Sequence, residues 1–279
     1  MKQQKVIFSD HEIVDFCSAT KDTNEIHNPE FMEKLGKRVI VPGMLALSRT
    51  LNLEVDHLKS KVNCIHVFFN SLLSSGDFAT LCTAPVPDRT SGIKLSAINH
   101  VDTLTTKSDY TKMYWNSDGV GNEVFPGILR SLPVESWQLR HFSNLVGCND
   151  HDINNFLFSI AYASQALLKS IDEPESEVEQ EIGRVINSPG SRISPFYQSL
   201  EILFPHPFPV FTPGSYLDYY THFVQEKPNK LYTAHLRCES WKQPVFHARY
   251  KMMGIPDIII LRMAKELHLV KSSFSQQVD

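Results

Sequence analysis

Apolar positions along the chain follow two rhythms, and the pair of rhythms occurs twice. Met44, Leu45, Leu47 and Leu51 recur at mostly helical spacing in GMLALSRTLNLEV, and a stripe of that period buries one face of a helix. The next stretch, CIHVFFNSLLSSGDFATLCTAP, is dense in β-branched and aromatic residues on either side of Ser-Gly-Asp, which predicts two strands joined at a turn. Further on, FLFSIAYASQALLKSI predicts a second helix, and LEILFPHPFPVFTPGSYLDYYTHFVQ predicts a strand, a Pro/Gly turn and another strand. A polar turn precedes each helix, KDTNEIHNPE in the first case and VGCNDHDINN in the second. Later in each part come further strand candidates, GIKLSAINHV with DYTKMYW and then KLYTAHLRC with PVFHARYKMMGI, with KPNK as a hairpin turn before the latter pair.

The repeated order of turn, helix and hairpin places a junction between two units. NSDGVGNEVFPG supplies Gly, Asn, Asp and Pro there, residues that mark a loop, so the boundary falls around residues 117 to 134. The expected units are an N-terminal one over 1–120 and a C-terminal one over 121–279, and a chain of 279 residues is ample for two cores. The acidic run IDEPESEVEQEIGRV has no partner in the first unit and reads as a solvated helix or loop. VINSPGSRISPF lacks the phosphate-cradling Gly-x-x-x-x-Gly-Lys-Ser/Thr pattern and reads as a connecting loop.

Composition changes this picture mainly by exclusion. A formal net charge of −4 gives no basic footprint for nucleic acid or an anionic membrane. The start MKQQKVIFSDHEIVDF has no signal-peptide core and no apolar run approaches a membrane span, so a soluble cytoplasmic protein is expected. Cys17, Cys64, Cys82, Cys148 and Cys238 are scattered and odd in number, which suits reduced thiols rather than disulfides or a zinc site. Serine-hydrolase, zinc-protease and dinucleotide motifs are absent, and no cofactor or metal is implied.

The candidate chemistry lies at Asp22, Asn24 and His27 in DTNEIH, followed by Pro42, Gly43 and Met44. The five-residue spacing between Asp22 and His27 lets a turn bring both side chains to one side, which the alternation of a strand would not ensure. Each residue also has a plainer reading: Asp22 as an Asx-turn or N-cap residue, His27 as an ordinary histidine, Gly43 as a turn residue and Met44 as core.

Taken in order, Asp22-x-Asn24-x-x-His27, Gly43-Met44 and Gly76-Asp77 resemble the MaoC-like hotdog family of (R)-specific enoyl-CoA hydratases and (3R)-hydroxyacyl-thioester dehydratases. The match spans most of residues 8 to 85, with Glu25 where the family motif has proline. The resemblance implies an α+β double hotdog, each half a long central helix wrapped by an antiparallel β-sheet. It implies reversible dehydration of a 3-hydroxyacyl thioester carried on acyl carrier protein or coenzyme A, with no nucleic-acid or membrane partner and with further pairing into a homodimer open. Asp22 and His27 would be the acid–base pair and Asn24 an orienting partner. Gly43, at the helix N-terminus, would let the thioester carbonyl approach backbone N–H donors, with Met44 beside it.

Lys34, Lys37 and Arg38 are read either as contacts for coenzyme A phosphates or a carrier protein, or as a solvated face. A shift of 127 residues lays Asn149 over Asp22 and Asn154 over His27; asparagine exchanges no protons near neutrality, so the second unit is expected to be catalytically degenerate. His151 and Asp152 are read as a solvated turn. YASQALL resembles the helix of dehydratases acting on carrier-protein substrates, and Phe204, Phe208, Phe211, Tyr216, Tyr219 and Tyr220 suit either a long acyl chain or a strand core. The competing functions are a hotdog thioesterase and a noncatalytic acyl-thioester binding or partner subunit, the latter supported by Glu25.

Overall fold

The computed structural model describes residues 2–69, 72–85, 93–99, 109–116, 125–186, 193–227 and 231–256. The first part of the chain forms β1 (Gln3–Ile7), α1 (Asp10–Thr20), a 3-10 turn (Glu25–His27), α2 (Pro29–Lys34), α3 (Gly43–Asn52) and α4 (Val55–Ser60). It ends with β2 (Cys64–Phe68), β3 (Phe78–Pro85), β4 (Ile93–Asn99) and β5 (Asp109–Tyr114). The second part begins with β6 (Ile128–Pro133), α5 (Ser136–Val146), α6 (His151–Asp172) and α7 (Glu177–Ile186). It closes with β7 (Ile193–Leu203), β8 (Tyr216–Lys227), β9 (Leu231–Ser240) and β10 (Gln243–Pro256).

The strands form one sheet in the order β1-β3-β4-β5-β2-β7-β10-β9-β8-β6. Read inward from its two edges, the order is the same: first strand, third, fourth, fifth and second of each half. The halves meet where β2 pairs antiparallel with β7, Ile65 opposite Ile202, and both of these side chains are fully buried.

That order corrects the two expected hairpins. β2 pairs with β5 and β7, and β3 with β1 and β4; likewise β7 pairs with β10 and β2, and β8 with β9 and β6. Each connection instead crosses to another place in its half-sheet, and the Ser74–Asp77 turn bonds to residues 39–41. The pairings β4 with β5 and β9 with β10 are as expected. β8 pairs with β9 across the KPNK segment, of which residues 228–230 lie outside the described residues, as do 117–124 of the expected junction. Residues 193–196 of the expected connecting loop begin β7.

The helices are delimited by their own side chains. α1 starts with a capping box in which Ser9 and Glu12 bond each other's backbone, and it stops at Lys21 in the left-handed conformation, φ 53°. α5 starts with the equivalent box from Glu135 and Gln138 and stops at Gly147, φ 70°. The two caps are 126 residues apart at both ends, 135 − 9 and 147 − 21.

Beyond the caps the halves diverge. From Lys21 to the start of α3 is 43 − 21 = 22 residues, whereas from Gly147 to the start of α6 is 151 − 147 = 4. The overlay of Asn149 on Asp22 and of Asn154 on His27 therefore fails: Asn149 sits in the short linker and Asn154 is a buried residue inside α6. The central helices differ too, since α3 has 10 residues and α6 has 22. The small residues Ser159, Ala161, Ala163, Ser164 and Ala166 of α6 are all buried, which lets the sheet and neighbouring helices close around it.

Aromatic side chains join the layers. Phe16 of α1 meets Phe142 of α5 at 5.9 Å, and Phe142 meets Phe158 of α6 at 5.5 Å; each such buried ring stabilises by roughly 1.5–3 kcal/mol. Gln138 Nε2 donates to the Ala19 carbonyl at 2.7 Å, tying α5 to α1. The acidic run is only partly solvated: Glu179 of α7 is 1% exposed and meets the buried Arg130 of β6 at 3.3 Å. Arg130 also bonds Glu175 and the Glu173 carbonyl, so the pair is embedded in a wider network, as a buried charge requires.

Three histidines on the strands, His66, His235 and His247, are held below the ordinary histidine range, chiefly by burial. For His247 the value falls from 6.5 to about 4, with Arg237 adding to the effect of burial. An unfolded chain takes up that proton first, so the stability associated with His247 is complete above about 6.5 and is lost as pH falls toward about 4. The melting temperature of wild type is expected to drop between pH 7 and pH 4.5 by more than that of His247→Phe; equal drops would show that His247 contributes no acid sensitivity.

Candidate active site

The stretch of 22 residues from Lys21 to the start of α3 holds Asp22, Asn24 and His27, and its local hydrogen bonds set their orientation. Asp22 Oδ1 accepts the Asn24 N–H at 3.0 Å, an Asx-turn, while Asp22 Oδ2 faces His27 Nε2 at 3.9 Å. The turn reading and the acid–base reading of Asp22 thus apply to different oxygens of one carboxylate. Asn24 caps the 3-10 turn, its side chain accepting from Ile26 N at 3.4 Å; this bond supports the turn rather than either member of the pair. Glu25 is exposed at the first position of that turn, a kind of position that proline also accepts.

His27 is 9% exposed, and its Nδ1 lies 2.7 Å from the Ile40 carbonyl. A carbonyl only accepts, so Nδ1 carries a proton, and Nε2, which faces Asp22, is the nitrogen that is unprotonated in the neutral form of the ring. Ile40 is itself clamped. Its N–H donates to Ile26 O at 3.1 Å, Val41 N donates to Leu73 O at 2.8 Å and Ser75 N donates to Val39 O at 2.8 Å.

The Gly-Asp turn closes this clamp. Gly76 adopts φ +75°, a conformation that side-chain-bearing residues rarely take, and Asp77 Oδ2 accepts from Ser74 N at 3.2 Å. Arg38 donates to Asp77 Oδ1 at 2.7 Å and to Ser75 O at 2.9 Å. Arg38 therefore serves the loop, while Lys34 at the end of α2 is exposed.

Asp22 and His27 line a pocket of ≈ 90 Å³ together with Asn24, Pro42, Gly43 and Met44. Its apolar wall includes Phe69, Leu72 and Leu168. All five candidate residues from the sequence are thus brought to one cavity, and Met44, 5% exposed, is both core and lining. Asp22, Asn24 and His27 also border a wider outer pocket of ≈ 460 Å³ with Val14, Cys17 and Thr23. Burial and the nearby Asp22 carboxylate push the Cys17 thiol well above its ordinary range, so it is no nucleophile at neutral pH.

Pro42 offers no side-chain cap to α3, and its carbonyl accepts from Leu45 N at 3.0 Å and Ala46 N at 3.3 Å. The amides of Gly43 and Met44 precede these in the first turn, at the positive end of the helix dipole, the place where a developing oxyanion is stabilised. A side chain at Gly43 would sit 2.8 Å from Phe69 Cε1, so glycine here lets the Phe69 ring approach the start of α3.

The lining also includes Ser164 of α6 and Tyr197 of β7, which the sequence did not single out as site residues. Ser164 and Leu168 fall within the YASQALL helix; Tyr197 carries no motif, and only the β2–β7 junction brings it here. Phe204 and Phe208 instead pack with Phe156, at 5.0 Å each, as core. His151 bonds Asn155 at 3.1 Å and Asp152 pairs with Lys59 at 3.4 Å at the start of α6. Among the described residues no cluster of three or more His, Cys, Asp or Glu is placed to hold a metal, and no helix is long and apolar enough to cross a membrane.

No protein-family model and no curated protein matches this sequence. Solved structures do. A MaoC-like dehydratase from Phytophthora capsici superposes with a TM-score of 0.55 at 10% identity, over 92% of this chain and 95% of that one. A second MaoC-like dehydratase gives 0.52 at 9% identity, over 91% and 97%. A Mycobacterium tuberculosis protein described as having a double hotdog fold gives 0.50 at 11% identity, over 90% and 94%. At these identities the likeness is one of fold: the chain has the double hotdog architecture of the MaoC-like dehydratases.

Gly43→Ala is expected to displace the Phe69 ring into the pocket, costing about 1–3 kcal/mol of stability and disturbing any ligand bound there. Adding Phe69→Ala should restore ligand binding, read by calorimetric titration with an acyl thioester. A Gly43→Ala protein that binds like wild type would show that the close approach has no functional weight.

Proposed function

We propose that this chain catalyses the reversible dehydration of (3R)-hydroxyacyl thioesters to trans-2-enoyl thioesters, the thioester being carried on coenzyme A or acyl carrier protein. The observation that carries the reading is the pairing of His27 Nε2, the ring nitrogen left free to exchange a proton while Nδ1 is held by Ile40 O, with Asp22 Oδ2 at 3.9 Å. The pair faces the same pocket as the uncapped start of α3. That arrangement suits a reaction needing a base, an acid and an oxyanion site within a few ångströms of one another.

In dehydration, His27 Nε2 takes the proton from C2 while the amides of Gly43 and Met44 hold the thioester oxygen as it gains enolate charge. The electron pair of the C2–H bond then becomes the C2–C3 double bond, and the C3–O pair leaves with the hydroxyl. The departing oxygen receives the proton from His27, so water is the product and the pair returns to its starting state. Asp22 Oδ2 orients the hydroxyl and offsets the charge on the transient imidazolium. Hydration is the reverse sequence.

The 3-10 turn that Glu25 begins still brings Asp22 and His27 to one pocket, which supports a catalytic reading over a noncatalytic one. Enoyl-thioester absorbance in the ultraviolet tests the proposal with crotonyl and longer enoyl substrates on both carriers. Wild type should bleach the signal and form the 3-hydroxyacyl product, and Asp22→Asn or His27→Ala should lose about 10²–10⁴-fold in rate. Release of free thiol without hydration would identify a thioesterase instead, and binding without turnover by wild type would leave a binding subunit.

A further inference from the structure

Within the pocket, the first half commits two of its polar atoms to its own loop. Asp22 Oδ1 is held by Asn24 N and His27 Nδ1 by Ile40 O. With the imidazole in its neutral form, what the pair offers a ligand is two acceptors, Asp22 Oδ2 and His27 Nε2. A hydroxyl or water, however, both donates and accepts, and its oxygen also needs a donor.

The second half supplies one. Ser164 and Tyr197 are the polar side chains that it contributes to the pocket lining. Tyr197 lies on β7, beside β2 at the centre of the sheet, and is half-buried. Its ring packs against Tyr250 at 5.3 Å, a residue that is itself fully buried, which restricts its swing. Burial, then the Asp22 carboxylate, push the phenol well above its ordinary range, with Ser164 as its polar neighbour. At any working pH the group is therefore a neutral O–H donor close to the acid–base pair.

We propose that Tyr197 is a substrate-binding residue whose hydroxyl donates to the oxygen on C3, so that a 3-hydroxyl, or the water that adds in reverse, is held between one donor from the second half and two acceptors from the first. The inference rests on the dehydration reading and adds to it the group that recognises the hydroxyl. As the C3–O bond lengthens, charge builds on that oxygen before the proton arrives, and a donor aimed at it strengthens over the same interval. The half without an acid–base loop is then still part of the active site.

The test is the split between substrates that have the 3-hydroxyl and analogues that lack it. For Tyr197→Phe, which keeps the ring against Tyr250, kcat/KM for 3-hydroxybutyryl thioester should fall about tenfold or more, the effect of losing one hydrogen bond of ordinary strength or better. The inhibition constant of the saturated butyryl thioester should stay within about twofold, because that molecule has no oxygen on C3. Ser164→Ala should show the same split more weakly, and it decides the matter should Tyr197→Phe fold poorly. Unchanged kcat/KM, or equal losses for both ligands, would overturn the assignment. If wild type turns over and Asp22→Asn does not, either result concerns Tyr197 alone; a wild type inactive on every enoyl and 3-hydroxyacyl thioester would remove the dehydration reading itself.

Discussion

The hydrogen bond from His27 Nδ1 to the Ile40 carbonyl, at 2.7 Å, is the contact on which the site depends. It fixes one tautomer and one ring orientation, and both follow from a backbone oxygen that can only accept. The rest of the loop holds that oxygen still. Ile26 receives the Ile40 N–H, residues 39–41 pair with 73–75, and Asp77 with Arg38 closes the turn behind them. A part-buried carboxylate–guanidinium contact that touches neither Asp22 nor His27 thereby acts on the angle of an imidazole. Precision of this kind comes from several modest bonds in series rather than from one strong one.

The sheet provides the second constraint. Five strands from each half, laid in the same internal order, leave β2 and β7 as inner edges that satisfy one another. Unpaired edges at those positions would expose rows of backbone donors and acceptors. Joining them also decides which residues of the second half can reach the first, since Tyr197 projects toward the loop only from a strand placed beside β2.

Much of this was legible in the residues. The helix starting at Gly43, the strands around Gly76-Asp77, the long small-residue helix and the gathering of Asp22, His27, Gly43 and Met44 could be read from period and motif, because each depends on neighbours close in sequence. The expected hairpins failed because strand partners are chosen by the whole sheet: β2 and β3 are adjacent in sequence yet each finds better-placed edges elsewhere. The overlay of Asn149 and Asn154 on Asp22 and His27 failed for a different reason. The repeat does hold through the matching caps at Lys21 and Gly147, but the insertion follows immediately, and a fixed offset cannot register a change in length. Tyr197 had no local signal at all.

The unequal lengths after those two caps, 22 residues against 4, have a consequence for how such a protein can change over generations. In a symmetric pair of identical chains every substitution is made twice, so a residue near the shared axis must suit both the reacting copy and the supporting one. Here the two halves are encoded separately. A mutation at Leu168 or Ser164 alters the wall beside Asp22 and His27 with no matching change in the first half, and the long helix that carries them can drift while the histidine and aspartate of the other half remain under their own, independent selection.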